Sequence, residues 1–181
     1  MTHRILFVCV GNAGRSQMAE AFARFHAVEL KLEVEVMSGG TKPARALDSE
    51  VVAVMRERGL DIAGASPKRL DLEFARAADI IISLCGPLDA ACPAPLLPKV
   101  TDWGLEDPLG KPAERVREIR DDIERRVVDL LHAVQWAGTA GETSPAAAPD
   151  TTRLVGETSP HSPPRPGIKR DGMKKGGAEP R

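Results

Sequence analysis

Three consecutive isoleucines, Ile80-Ile81-Ile82, lie inside the run Asp79 to Leu84. Side chains alternate across a strand, so this strand is apolar on both faces and must be covered by helices on each side, the condition of a central strand in a parallel sheet. The rest of the chain supplies the matching pieces. Arg4 to Val10 is a short run rich in branched apolar residues that breaks at Gly11, and a helical period opens at Arg15, with Met18, Phe22 and then Phe25 or His26 on one stripe. Leu32 to Met37 alternates as a second strand. Asp48 or Ser49 can cap a helix whose apolar face is Val51, Val52, Met55 and Leu60, with Gly59 placed to end it. A short strand is expected near Lys99 to Thr101, and Lys111 to Trp136 reads as a long charged helix whose stripe is Val116, Ile119, Ile123, Val127, Leu130, Leu131 and Val134. Strands alternating with helices give an α/β domain with a doubly wound parallel sheet, in which ligands bind beyond the carboxyl ends of the strands. The loops after Val10 and Leu84 fall on that edge.

The chain has 181 residues, which suits one well-buried core followed by a tail. The domain is expected to span 1–137. From 138 to 181 the composition turns to Pro, Gly, Ser, Thr and Ala, and the tail is expected to be disordered. Gly-Glu-Thr-Ser-Pro occurs at Gly141 and again at Gly156, too short a recurrence to define a repeat architecture. Lysine and arginine total 25 against 26 acidic residues, a formal net charge of -1, so the composition points to no nucleic acid and no membrane surface as partner. No stretch approaches the roughly 20 apolar residues of a membrane span, and Ile5 to Val10 is shorter than a signal-peptide core, so a cytoplasmic location is expected. Three cysteines, an odd number, argue against a structural disulfide framework and leave thiols for chemistry, unless they are small buried hydrophobes. The four histidines, His3, His26, His132 and His161, have no ligand spacing, and no metal site and no tightly bound cofactor are expected.

The segment Cys9-Val10-Gly11-Asn12-Ala13-Gly14-Arg15-Ser16 puts a thiol at a strand end and an arginine at the start of the following helix. A loop of this kind can turn its backbone N–H groups inward as a nest for a tetrahedral oxyanion, beside the positive end of the helix dipole. Val10, Gly11, Asn12, Ala13, Gly14 and Arg15 are therefore the candidate oxyanion-binding residues. The arginine fork grips two anion oxygens, and the same donors favour the thiolate, the nucleophilic form of cysteine. Ser16 can donate to that thiolate and Asn12 can hold the loop's shape. The alternative is an ordinary strand-to-helix turn with Cys9 as a buried strand-end residue. Neither G-x-G-x-x-G nor the lysine-bearing phosphate loop is present.

From Val8 through Glu20 the sequence resembles the signature of thioredoxin-coupled arsenate reductases related to the low-molecular-weight tyrosine phosphatases, and the likeness extends over roughly residues 4 to 136. Ser38-Gly39-Gly40, Ser83-Leu84-Cys85, Cys92-Pro93, Asp102-Trp103-Gly104 and Asp107-Pro108 carry it further. The resemblance implies a three-layer, four-stranded flavodoxin-like architecture, and it makes Asp107 the general acid, which as bare sequence would be a turn residue before the last helix. It also implies a three-thiol relay. Cys9 attacks arsenate, Cys85 attacks the Cys9 sulfur as arsenite leaves, and Cys92 resolves the Cys9-Cys85 disulfide to leave Cys85-Cys92 for an external thiol reductant, thioredoxin above all. The expected catalytic residues are thus Cys9, Arg15, Ser16, Cys85, Cys92 and Asp107, acting in an enzyme of arsenic detoxification that is expected to be a monomer.

A phosphatase of phosphotyrosine or small aryl phosphates, working through a Cys9 phosphoenzyme, is the competing enzyme reading and needs neither Cys85 nor Cys92. A non-catalytic anion-sensing module is the third. Gln17 in place of the phosphatases' usual proline, and the absence of tyrosine for an aromatic cleft, favour the reductase. Gly14 stands where the reductases resembled often carry a cysteine. Some relatives bind potassium through the loop asparagine, the glutamate of the first helix and an upstream aspartate; Asn12 and Glu20 match, whereas Lys68 takes the aspartate's place, so its ammonium is expected to replace the cation unless it is a solvated surface lysine.

Overall fold

A computed structural model describes residues 2–85 and 100–140, without the side chains of 138–140. Its elements run β1 (His3–Cys9), α1 (Arg15–Glu29), β2 (Val34–Gly40), α2 (Ser49–Glu57), α3 (Leu72–Ala77), β3 (Ile80–Ser83), β4 (Val100–Asp102) and α4 (Ala113–Ala140). The strands form one sheet in the order β2-β1-β3-β4, every pairing parallel. β1 and β3 are the interior strands because their residues are apolar on both faces. Ile5, Phe7, Cys9 and Ile82 face a core built with Met18 and Phe22 of α1, Val51 and Met55 of α2, and Val116, Ile123, Val127 and Leu131 of α4. Leu6, Val8 and Ile81 face the other way, onto Leu70, Phe74 and Ala75. The expected three-layer, doubly wound, four-stranded architecture is the observed one.

The expected stripe of α4 is buried as read, with Leu130 half-buried at its margin. On α1 the stripe continues through half-buried His26 and buried Ala27, and Phe25 is exposed. Asp48 is the N-cap of α2, its side chain accepting from Glu50 N at 2.9 Å, and Gly59 follows that helix in the left-handed region at φ 75°, where a side chain would be strained. Helix α3 is not evident in the sequence, since six residues cannot display a helical period. It forms where Asp71 accepts from Glu73 N and Phe74 N, and Phe74 and Ala75 close the sheet's second face. α4 continues to Ala140, past the expected domain end at 137. Cys92 and the remainder of the tail, 141–181, lie outside the described residues.

In this strand order the chain leaves β1 toward β2 and returns to β3 on β1's other side. The carboxyl ends of β1 and β3 flank the resulting switch point, where open α/β sheets bind ligands. Parallel register brings Cys9 beside Gly40 and Val8 beside Ser83, so the loops after Cys9 and Ser83 emerge together.

Candidate active site

The loop from Val10 to Gly14 is laced to the segment after β2. Thr41 N donates to Cys9 O (3.2 Å), Lys42 N to Val10 O (2.9 Å), Ala44 N to Gly11 O (2.8 Å) and Asp48 N to Ala13 O (3.0 Å). Because C=O and N–H point oppositely in a trans peptide, carbonyls drawn outward turn the N–H groups of Val10, Gly11, Asn12 and Gly14 toward the loop's centre. Asn12 N accordingly donates to Cys9 Sγ at 3.1 Å. Asn12 stands at φ 48°, a conformation asparagine tolerates better than most residues. Gly40 must lack a side chain, since a Cβ there would lie 2.6 Å from Val10 O.

Cys9 Sγ is buried at the bottom of this loop, 2.8 Å from Ser16 Oγ. α1 begins at Arg15 with Gly14 as a cap that offers no side chain, which leaves the amino-terminal N–H groups for the loop's interior. The Arg15 guanidinium is buried and spans the site. Nη1 donates to Leu105 O at 2.6 Å and, at 3.5 Å, to Leu84 O; Nη2 donates to Asp107 Oδ2 at 3.0 Å. Asp107 reaches the site because Trp103 N donates to Ser83 O (2.8 Å) and Leu105 N to Leu84 O (3.1 Å), stitching the loop after β4 to the end of β3. Pro108 then packs over Gly14, where a Cβ would meet Pro108 Cγ at 3.0 Å. The mouth is lined by Cys9, Arg15 and Asp107 together with Ala13, Ala44, Ala46, Leu47, Asp48, Pro108 and Leu109, and no aromatic ring is among them.

Cys85, half-buried and free, ends the β3 loop beside this thiol. Burial pushes the Cys85 thiol above its ordinary value and the negative charge of Cys9 adds to the rise, while a Ser83 hydrogen bond, the Arg15 charge and the Val10 N–H oppose it.

Behind the loop lies a second polar layer. Asn12 Nδ2 donates to Ser16 Oγ (2.8 Å) and Ser38 Oγ (2.9 Å), and Asn12 Oδ1 accepts from Gln17 Nε2 (2.9 Å) and Lys68 N (2.8 Å). Buried Glu20 accepts from Ser38 Oγ at 2.5 Å, Lys68 Nζ at 2.7 Å and Arg24 Nη2 at 2.9 Å. Burial pushes the Glu20 carboxyl up, but the hydrogen bonds of Lys68 and Ser38, the Lys68 charge and Arg24 outweigh it and hold the group below its ordinary value.

The sequence model of the low molecular weight phosphotyrosine protein phosphatases matches residues 4–140. The chain belongs to this family. Within it, the chain is 45% identical over 133 residues to a putative arsenate reductase of Halobacterium salinarum, covering 72% of this chain and 92% of that one. A solved arsenate reductase in its phosphate-binding state is 32% identical, with a TM-score of 0.64 over 73% of this chain and 98% of the other. A thioredoxin-dependent arsenate reductase of Corynebacterium glutamicum is 34% identical, with a TM-score of 0.60 over 75% and 63% of the two chains.

Of the family residues expected from the sequence, Cys9, Arg15, Ser16, Cys85 and Asp107 converge on one edge of the sheet, around the loop Val10–Gly14; Cys92 lies outside the described residues. Lys68 is partly exposed, but its ammonium is paired with buried Glu20. One participant, Leu105, and the hydrogen-bonding roles of two residues already singled out in the sequence, Ser38 and Gln17, were not legible beforehand. Leu105 acts through a carbonyl, which no side chain announces. Ser38 and Gln17 acquire their roles only because β2 and α1 converge on Asn12.

Proposed function

We propose that this member of the low molecular weight phosphatase family reduces arsenate to arsenite, with Cys9 as nucleophile. The observation that carries the reading is the second thiol: Cys85 directly follows Leu84, whose N–H donates to Val8 O beside Cys9 at 2.9 Å and whose carbonyl accepts from Arg15 Nη1 at 3.5 Å. Hydrolysis of a phosphate ester has no use for it. Resemblance to arsenate reductases supports the same choice.

Arsenate binds to the N–H groups of Val10 to Gly14 and to Arg15, exchanging its own charge for that of Asp107 on the guanidinium. Ser16 and Asn12 N–H steady the Cys9 thiolate as it attacks arsenic, and Asp107 in its acid form protonates the departing oxygen, which leaves as water. Cys85 thiolate then attacks Cys9 Sγ. The S–As bond breaks with its electron pair going to arsenic, so As(V) becomes As(III) and arsenite departs as the Cys9-Cys85 disulfide forms. Cys92 thiolate attacks Cys85, releasing Cys9 thiolate, and a dithiol of the thioredoxin type supplies the two electrons that reduce Cys85-Cys92. Such a cycle belongs in a reducing, cytoplasmic compartment, and among the described residues no helix is long and apolar enough to cross a membrane. The mouth of alanine and leucine side chains suits a small oxyanion better than an aryl ester.

The test is to mix reduced protein with arsenate without oxygen, quantify arsenite, and map disulfides by mass spectrometry with and without thioredoxin, its reductase and NADPH. Stoichiometric arsenite with a Cys85-Cys92 disulfide, becoming catalytic with thioredoxin, is expected. Unchanged arsenate alongside hydrolysis of an aryl phosphate would transfer the assignment to the phosphatase.

A further inference from the structure

A buried carboxylate directly behind an anion-binding loop works against that loop, because its negative charge disfavours both thiolate and oxyanion. Glu20 is such a group. Arg24 holds its Oε1, and Lys68 Nζ, 2.7 Å from Oε2 and 3.2 Å from Ser38 Oγ, offsets its charge on the side where Ser38 meets the loop.

The backbone of the segment carrying Lys68 gives the hydrogen bonds a direction. The Lys68 backbone N–H and Gln17 Nε2 both donate to Asn12 Oδ1, so the Asn12 amide hydrogens are committed to Ser16 and Ser38. Ser16 Oγ, already accepting from Asn12, has a single hydrogen, and its other near partner is Cys9 Sγ. Ser38 Oγ accepts from Asn12 and Lys68 and spends its hydrogen on Glu20. One chain of donors thus runs from the Lys68 and Gln17 N–H groups through Asn12 and Ser16 to end on the sulfur, and the Lys68 ammonium joins it at Ser38, whose Oγ also accepts from Asn12. The segment carrying Lys68 is itself tied to the site: Gly40 N donates to Lys68 O and Leu70 N to Gly40 O, each at 2.9 Å, and Gln17 Nε2 donates to Ser66 O at 3.1 Å.

We propose that Lys68 is a positioning residue for the Cys9 thiolate, acting through Glu20, Ser38, Asn12 and Ser16 without touching substrate. This rests on Cys9 being the nucleophile. The test therefore reads Cys9 directly: peptide-resolved alkylation by iodoacetamide at fixed neutral pH, in the unmodified protein, Lys68→Met, Lys68→Arg and Ser38→Ala, with melting followed by circular dichroism. Lys68→Met is expected to slow Cys9 alkylation about tenfold, the scale of one lost charge-assisted hydrogen bond, with Lys68→Arg restoring most of the rate and Cys85 alkylation not slowed. Ser38→Ala, which keeps the ion pair but cuts its link to Asn12, is expected to slow Cys9 comparably, and it carries the test alone if Lys68→Met does not fold. A lowered melting temperature with an unchanged Cys9 rate would mean a merely structural ion pair and overturn the proposal. Cys9 reacting no faster than Cys85 in the unmodified protein would instead overturn the nucleophile reading, and this inference with it.

Discussion

The Arg15 guanidinium donates to the Asp107 carboxylate at 3.0 Å, so the group proposed to grip the oxyanion also holds the proposed general acid. Arg15 is buried, whereas the Asp107 side chain is 61% exposed, so the acid is the partner free to move when an anion takes its place. Asp107→Asn retains a neighbour for Arg15 but has no proton to give. Its kcat for arsenate should fall about 10²-fold or more, with KM changing far less; an unaltered kcat would remove Asp107 from the mechanism.

Cys85→Ser should abolish arsenite release beyond background and leave any hydrolysis of an aryl phosphate intact, since that reaction uses only Cys9, Arg15 and Asp107. Parallel assays of the two activities on one preparation decide this. Loss of both together would point to a folding defect, and retention of both would exclude the relay.

The raised Cys85 thiol sets a pH dependence. Below its folded value the thiolate fraction rises about tenfold per pH unit, so single-turnover arsenite release, if limited by Cys85 attack, should accelerate with pH through the neutral range and beyond the ordinary value of 9.0. A rate that is flat from neutral pH upward would mean another step is limiting. For stability the sign is opposite: the folded state holds this proton more tightly, so the contribution is present below the unfolded value and fades as pH rises through the folded one.

A contribution to acid stability is expected elsewhere, from Glu57 at the end of α2. Arg117 hydrogen bonding, offset by burial and reinforced by Arg120, lowers this carboxyl from 4.5 to about 2. A depressed carboxyl contributes stability above its unfolded value and loses it as pH falls toward the folded one, so the contribution should disappear between 4.5 and about 2. Denaturant titrations at a series of pH values should show Glu57→Gln flattening this part of the profile; a superimposable profile would place the acid limb with other groups.

Lys68 already delivers a monovalent cation to Glu20 and Ser38. Exchanging sodium for potassium at constant ionic strength should therefore leave turnover unchanged, and marked stimulation by potassium would mean that the site accepts another cation.

Much of this was legible in the order of residues. Ile80-Ile81-Ile82 and the run Arg4 to Val10 can be satisfied only by burial on both faces, and the stripes on α1, α2 and α4 name the faces that do the burying; these are local periodicities and need no partner to be recognised. The Cys9–Ser16 loop was equally plain, because its chemistry lies within one short segment. Asp107 was a turn residue on local evidence, and family resemblance supplied its role.

What only the tertiary structure decided are the relations between segments distant in sequence. The order β2-β1-β3-β4 brings Cys85 to Cys9, and the loop after β4 carries Leu105 and Asp107 to Arg15. Convergence of α1, β2 and the segment before α3 makes one hydrogen-bond network of Lys68, Ser38, Asn12 and Ser16. Such contacts depend on distances of about 3 Å between atoms whose residues lie tens of positions apart, and composition and period do not encode them. The amino-acid sequence by itself determined the elements other than α3, their buried faces and the Cys9–Ser16 loop; packing decided which thiol, which acid and which cation that loop meets.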